Sequence, residues 1–365
     1  MATYYTSSTA LGGGVGSYAD PFTLQEAFDT AIAGDEVRVL NDGTYSPTVT
    51  VDVDTNQGTA TSPIVFVGRN SADTAEEVAT ISGTSILSGS VIYFNFGNSS
   101  HSYVHIKKLK FDGSPASTDI ITANNFNNRG VYWFDCIFTN SSRYAFGNGC
   151  YQSQMTRCQF INNVSVALFG FRNSLAIGCY FEGNGSGTTP ANGIFSCTSS
   201  PFYGCVFRNS GYVYGDMGAF YNCTFDGSNS MGKALTTGVT TSVPIINCVF
   251  ANYTVQAIES STVDTSYNIQ GCYFYNNVSN TNFIIDSTTN TLSGTDPLFT
   301  NTTNGTEDYT PQSGSPLFGA GQPSLIPNST ASDMTSSPTV GAIHAAIAAA
   351  ISSVFSYMAN FTRLG

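Results

Sequence analysis

The chain has 365 residues, 41% hydrophobic and 13% aromatic but only 10% charged. That composition builds a large core under a neutral polar coat and excludes a disordered chain. Twelve Lys and Arg stand against 24 acids, a net charge of −12, and so few dispersed bases exclude a surface that binds nucleic acid by counterion release. The acid is uneven: the first 80 residues hold eleven carboxylates against Arg38 and Arg69, a local charge of −9.

Residues 1–20 lack the basic stretch and apolar run of a signal peptide. They contain Gly12-Gly-Gly14 without the Lys-Ser/Thr of a phosphate loop, and read as a flexible N-terminal segment. Residues 21–34 read as a capping helix. Thr23-Leu-Gln-Glu26 is a capping box, the helix runs through Ile32, and Gly34 closes it. Its apolar face (Leu24, Ala27, Phe28, Ala31) is suited to lid a first rung, Val37-Arg-Val-Leu40. Asp52, Asp54 and Asn56 form a weak calcium candidate, since the following Gly58 falls one residue late and no Glu stands at the twelfth position. An exposed acidic turn is the alternative, and no other cofactor is expected.

Residues 35–300 carry a repeat of about 23 residues marked by Cys-x-Phe. The marker pairs are Cys136 and Phe138, Cys158 and Phe160, Cys179 and Phe181, Cys205 and Phe207, Cys223 and Phe225, Cys248 and Phe250, and Cys272 and Phe274. Degenerate copies at Leu109-Lys-Phe111 and Pro297-Leu-Phe299 extend the series. Residues i and i+2 of a strand share a face, so Cys and Phe both point inward. Three residues before each Cys runs a second, mostly apolar column: Trp133, Met155, Ala176, Phe202, Phe220, Ile245 and Ile269. Trp133 is therefore assigned to the core, although an exposed Trp would also make a sugar platform. After each marker comes a corner rich in Asn or Gly, such as Asn140, Asn162, Asn163, Asn184, Asn252 and Asn277. Asn tolerates the left-handed backbone of such a corner, and stacked amides can bond along the axis.

A leucine-rich repeat has a similar apolar spacing, but its connecting segments carry a helix. Here segments such as 183–192 and 236–243 are rich in Gly, Ser and Thr and lack a helical period. The repeat is thus read as a parallel β-helix of about ten rungs, roughly 50 Å long at ~4.8 Å per rung. Nine cysteines, seven in one repeating position and none in a Cys-x-x-Cys pair, fit reduced, packed thiols.

The motifs at the two ends resemble those of the pectin-lyase-like right-handed parallel β-helix superfamily. Thr23-Leu-Gln-Glu-Ala27, Ala33-Gly-Asp-Glu-Val37 and Gly43-Thr-Tyr45 look like its opening signature. Asp296-Pro-Leu-Phe299, Asp308-Tyr309, Gly314-Ser-Pro316, Gly319-Ala-Gly321 and Gly341-Ala342 look like its closing signature, placing a closing segment at 301–341. The resemblance covers roughly residues 20–343 and implies the right-handed fold. It implies no single activity, because that superfamily holds lyases, hydrolases, epimerases, phage tailspikes and inert rods. Its hydrolases' Asn-Thr-Asp, Asp-Asp and His-Gly sequences are missing here. Beyond it, residues 342–365 carry Ile343, Ile347, Ile351, Val354, Phe355 and Met358 at helical spacing. This C-terminal helix is expected to fold back on the last rung or to dock on a partner, another virion protein or a copy of itself. A membrane anchor is the third alternative.

One candidate for chemistry is read from the wall. The outward position after the marker Phe is Glu182, then Arg208, then Asp226, a guanidinium between two carboxylates that serves either as a sugar-gripping acid and base or as a salt-bridge ladder. Lys108 and Lys110 with Asp135 and Arg157 offer a smaller cluster of the same kind, and His101 and His105 are about 13 Å apart on an extended strand, too far for one metal. Three functions fit. The first is a non-enzymatic structural or attachment protein of a phage particle, made in the host cytoplasm and resident in the virion. The second is a polysaccharide lyase or hydrolase acting on the outer wall, and the third a non-catalytic carbohydrate-binding adhesin.

Overall fold

The structure is a computed structural model. It describes residues 1–321 apart from 54–55, 87–88, 95–100, 114–118, 124–128, 148–150, 186–193, 196–197, 212, 215–216, 229, 238–242, 261–267, 284, 286, 288, 293 and 304–307. The helix expected over 342–365 and the far part of the closing segment lie outside the described residues. The chain forms two compact units, Met1–Ser200 with Ser210–Gly215, and Pro201–Asn209 with Asp216–Gly365.

Both units are stacks of parallel β coils, and one coil of the first unit shows the plan. Strand Arg129–Phe134 ends at Asp135 (φ 53°), strand Ile137–Thr139 follows the marker Cys136 and ends at Asn140 (φ 59°), and strand Tyr144–Gly147 completes the coil. Each strand pairs in parallel with its counterpart one coil on: Trp133 lies opposite Met155, Phe138 opposite Phe160, and Phe146 opposite Leu168. The 22-residue step is the same in all three sheets. The segments between markers therefore carry a third sheet where a leucine-rich repeat would carry helix. We call the three the column sheet, the marker sheet and the third sheet.

Two left-handed corners bracket the marker strands, except that Thr224–Asp226 is followed by Gly227 and turns left-handed only at Ser228 (φ 49°). The expected one follows the strand, at Asn140, Asn162, Gly183, Asn209, Asn252 and Asn276, with φ between 42° and 64°. The other immediately precedes the Cys, at Asp135, Arg157, Gly178, Gly204, Asn222, Asn247 and Gly271, with φ between 52° and 64°. Gly and Asn dominate both sets because a Cβ is penalised in this region. Asp135 and Arg157 hold the same conformation on successive coils, where the guanidinium grips the carboxylate by two bonds of 2.7 and 2.9 Å. With Arg157 half exposed, this pair contributes little to stability.

Between the corners the marker Phe rings stack coil on coil. In the first unit the centroids of Phe111, Phe138, Phe160 and Phe181 are 5.3, 4.9 and 4.8 Å apart. In the second, Phe207, Phe225, Phe250 and Phe274 are separated by 4.6, 4.7 and 5.2 Å. Strand spacing dictates this distance, and burying each ring is worth about 1.5–3 kcal/mol. The seven marker cysteines are free and buried. Burial pushes the Cys158 and Cys248 thiols well up, so they remain protonated packing groups. Trp133, 1% exposed, sits in the core with edge contacts to Phe94, Phe111, Phe138 and Phe146, so it is no sugar platform.

An Asn one residue past the second corner ties consecutive coils together. Asn163 accepts from the Ser141 amide (3.1 Å) and donates to the Phe138 carbonyl (3.2 Å). Asn184 repeats this on the next coil, accepting from the Asn163 amide and donating to the Phe160 carbonyl. The two side chains are also joined directly, Asn163 Nδ2 to Asn184 Oδ1, at 2.8 Å. In the second unit Asn277 does the same for Tyr253 and Phe250. The expected axial amide ladder is present, and it satisfies backbone groups that the corner removes from the strand ladder.

The N-terminal end departs from expectation in two respects. Residues 1–20 are not a loose arm: Thr3–Thr6 pairs in parallel with Glu36–Asn41 and is the first strand of the column sheet. Of their Gly-rich stretch Gly14 is packed, for a Cβ there would lie 2.4 Å from the Pro21 carbonyl oxygen, while Gly13 is open. The helix spans Leu24–Thr30 with the capping box in place, and ends before Ile32 because Ala31 is extended. Leu24, Ala27 and Phe28 are buried, and the Phe28 ring stacks on Phe66 at 4.1 Å, so it does cap the core.

Asn163→Ala would leave a carbonyl and an amide of the preceding coil buried and unsatisfied, and is expected to cost about 1–3 kcal/mol in urea denaturation. Phe160→Ala, which opens a cavity in the stack, is expected to cost about 3–5 kcal/mol.

Candidate functional site

The outer wall of the first unit carries a cleft of about 370 Å³ lined by Thr50, Asp52, Gly89, Ser90, Tyr93, Asp119, Thr122 and Arg143. It is built on the third sheet, whose strands here are Val51–Val53, Ser90–Phe94, Asp119–Ala123 and Tyr144–Gly147. Val51, Val53, Ile92, Phe94, Ile121 and Phe146 point inward and are buried. Strand alternation turns the intervening residues out, and register aligns them: Asp52, Tyr93, Thr122 and Gly147 form one row across four coils. Ser90 lies opposite Asp119 at the strand starts.

Asp52 and Asp119 are held in place by hydrogen bonds. Gln25 of the capping helix accepts from the Asp52 amide and donates to its carbonyl, both at 2.9 Å, so the N-terminal cap also positions the cleft. Asp119 accepts from Thr122 Oγ1 and from the Tyr144 amide, each at 3.3 Å. Burial pushes the Asp119 carboxyl up, against the Arg143 charge and these two bonds, which pull it down. A Cβ on Gly147 would meet Asp119 Oδ2 at 2.3 Å, so a larger residue there would displace that carboxyl. Arg143 stands 4.7 Å over the Tyr144 ring, which stacks on Phe169 at 4.8 Å. The arrangement offers hydroxyls, two carboxyls, a guanidinium and an aromatic ring on one rigid sheet.

Of the calcium candidates, Asp52 lines the cleft, Asp54 lies outside the described residues, and Asn56 donates its amide to the Asp29 carbonyl (2.7 Å). Among the described residues no group of three or more His, Cys, Asp or Glu side chains is placed to hold a metal. The expected acid–base ladder is corrected. Glu182, in the first unit, is half-buried. Arg208 and Asp226 are aligned in register in the second unit, but they are 6% and 4% exposed and line no open wall. Asp226 is met by the closing segment, which lies on the outer face of the marker sheet. Its antiparallel hairpin, Phe299–Asn301 with Asp308–Pro311, brings the Tyr309 hydroxyl to donate to Asp226 Oδ2 at 2.6 Å. Asp226 Oδ1 accepts from Asn252 Nδ2 and the Ser228 amide, both at 2.9 Å. These bonds tie down a buried carboxylate and leave it no access to substrate.

His105 stands on the outer face of the column sheet, edge-on to Tyr132 at 5.0 Å. The His101 side chain lies outside the described residues. Burial, with the Lys107 charge, lowers the His105 pKa to about 4. Below an unfolded value near 6.5 the unfolded chain binds the proton and the folded one does not, so stability falls as pH drops from about 6.5 to about 4 and levels off below. Melting temperatures between pH 7 and pH 4 should fall more steeply for the natural chain than for His105→Gln. Tyr309→Phe, removing a donor from a buried carboxylate, is expected to cost about 1–3 kcal/mol at neutral pH.

No protein-family profile and no curated protein matches the chain. Solved structures do. Pectate lyase Pel9A matches over 94% of this chain and 96% of its own, with a TM-score of 0.54 and 14% identity. A PL6 family polysaccharide lyase from Pseudopedobacter saltans matches over 65% of this chain and 63% of its own (TM-score 0.46, 14% identity). ORF18 of Geobacillus virus E2 matches over 78% and 61% (TM-score 0.31, 13% identity). At such identity the likeness to Pel9A is one of fold. With the parallel coils, the buried marker ladder and the capping helix in place, the chain has a parallel β-helix fold, similar to the structure of Pel9A.

Proposed function

We propose that this chain is an attachment protein of a bacteriophage particle that binds a polysaccharide at the outer-wall cleft of its first unit. The observation that carries the reading is the row Asp52, Tyr93, Thr122, with Ser90, Asp119 and Arg143 beside it, around one cleft. Sugars are recognised by carboxylates, hydroxyls and guanidinium groups that match their hydroxyls, and by aromatic faces that cover their C–H surfaces. Here Asp52, Ser90, Tyr93, Asp119 and Thr122 stand on paired strands, so little ordering entropy opposes their part in binding. The setting on a particle assembled in a reducing cytoplasm is supported by the seven free, buried thiols.

A second reading has its own observation. Asp52 and Asp119 line the same cleft, and burial holds the Asp119 carboxyl toward its protonated form. Two carboxyls in such different surroundings suit a general acid and a general base for hydrolysis of a glycosidic bond.

Screening the full chain against immobilised neutral and acidic glycans, followed by calorimetry on the best ligand, tests both. Tyr93→Ala and Arg143→Ala are each expected to weaken binding at least tenfold, and unchanged affinity in both variants would overturn the cleft assignment. Release of reducing ends by the natural chain, abolished in Asp119→Asn, would select the hydrolytic reading. Binding without release would select attachment.

A further inference from the structure

The cleft of the first unit has a charge pattern that narrows what it can hold. Its lining includes the carboxyls of Asp52 and Asp119 and the guanidinium of Arg143, so acid exceeds base. The capping helix adds a further acid beside it, because the Gln25 amide that donates to the Asp52 carbonyl also donates to Asp29 Oδ1, at 2.8 Å. The first 80 residues, which supply Asp29 and Asp52, carry a charge of −9. A carboxylate on a ligand is repelled by such a field, and a cation is drawn into it.

The two carboxyls of the lining lie on either side of an aromatic ring. Register sets Asp52 beside Tyr93 on one strand and Thr122 beside Tyr93 on the other. The Asp119 carboxyl belongs to the Thr122 end of this row. Its Oδ2 lies 3.3 Å from Thr122 Oγ1, and 2.3 Å from where a Cβ would stand on Gly147, the register partner of Thr122. Two strand steps separate Asp52 from Thr122, roughly 10 Å, which is the length of a disaccharide unit.

Asp119 is also loosely bonded for a half-buried carboxyl. Its bonds from Thr122 Oγ1 and the Tyr144 amide are both 3.3 Å, whereas a carboxylate draws strong donors to about 2.5–2.9 Å. Burial pushes this carboxyl up in spite of those bonds and of the Arg143 charge. A cationic donor would bring both the charge and the short bonds that the site lacks.

We infer that the cleft takes a glycan with free amines, a hexosamine polymer, whose ammonium groups pair with Asp119 and Asp52 while Tyr93 covers the sugar between them. The inference rests on the glycan-binding reading of the cleft and narrows it. An ammonium offers three donors, and its charge adds a cation–π attraction to the ring. Acetylation removes that charge, and a uronic acid reverses it. Arg143, laid over the Tyr144 ring at 4.7 Å, is left to bond sugar hydroxyls.

Calorimetry of the full chain with a glucosamine oligomer, its N-acetylated counterpart and a galacturonate oligomer of equal length tests this. The free-amine oligomer is expected to bind at least tenfold more tightly than the other two, and more weakly as salt rises. Asp119→Asn should erase that preference, and Asp52→Asn, at an exposed side chain, should reduce it without touching a half-buried group. Glu76→Gln, which removes one exposed acid outside the cleft, should leave it intact. Equal or tighter binding of the acetylated or uronate oligomer, lost in Tyr93→Ala, would overturn the amine assignment and keep the cleft as a glycan site. A loss in Glu76→Gln as large as in Asp119→Asn would also overturn it, as diffuse attraction to an acidic chain. Binding of no oligomer, or binding untouched by Tyr93→Ala, would overturn both readings.

Discussion

The backbone of the coils turns at left-handed residues, one just before each marker Cys and, on all but the coil of Cys223, one four residues after it, and everything else depends on where those turns fall. Four residues lie between them, and strand alternation points the first, Cys, and the third, Phe, inward. Stacking of the rings at the interstrand distance follows from the geometry of parallel pairing. The corners also break the strand ladder, which is why Asn163, Asn184 and Asn277 are drawn inside to bond the carbonyls and amides left behind. Ring stack and amide ladder are two consequences of one turn placement.

A wall made this way presents long rows of side chains, and their accessibility is decided by what lies on them. On the third sheet of the first unit the row Asp52, Tyr93 and Thr122 stays open and forms a cleft. On the marker sheet of the second unit, Arg208 and Asp226 occupy an equivalent kind of outward position. There the closing hairpin reaches Asp226, and its Tyr309, 83 residues further along the chain, takes up the carboxylate that would otherwise have met a ligand. The same alternation of strand residues thus yields a binding surface in one place and a buried brace in another. The capping helix is likewise not confined to closing the core, since its Gln25 holds the backbone of Asp52 at the cleft.

The marker ladder, the apolar column through Trp133, the capping box and the Asn corners were all legible in the sequence, because each depends on neighbours within one coil or on an equal step between coils. The corner before each Cys was not anticipated, because the charged Asp135 and Arg157 interrupt the run of Gly and Asn at that position. Nor was the cleft. Its residues come from four coils without a common motif, and only the register of the third sheet brings Asp52 and Thr122 to one row. The first strand was missed for a related reason. Thr3–Thr6 has no marker, and its place in the column sheet comes from pairing with Glu36–Asn41 across some thirty residues.

By itself the sequence determined the coil: its length, its inward side chains and its turns, all set by short-range backbone preference and a fixed alternation of faces. Only the tertiary structure decided which outward residues remain outward. Exposure is not a property of a strand position; it depends on the path of distant segments across the wall, and that path is chosen by the burial of Tyr309 and Leu317 against side chains the repeat alone would have left in water.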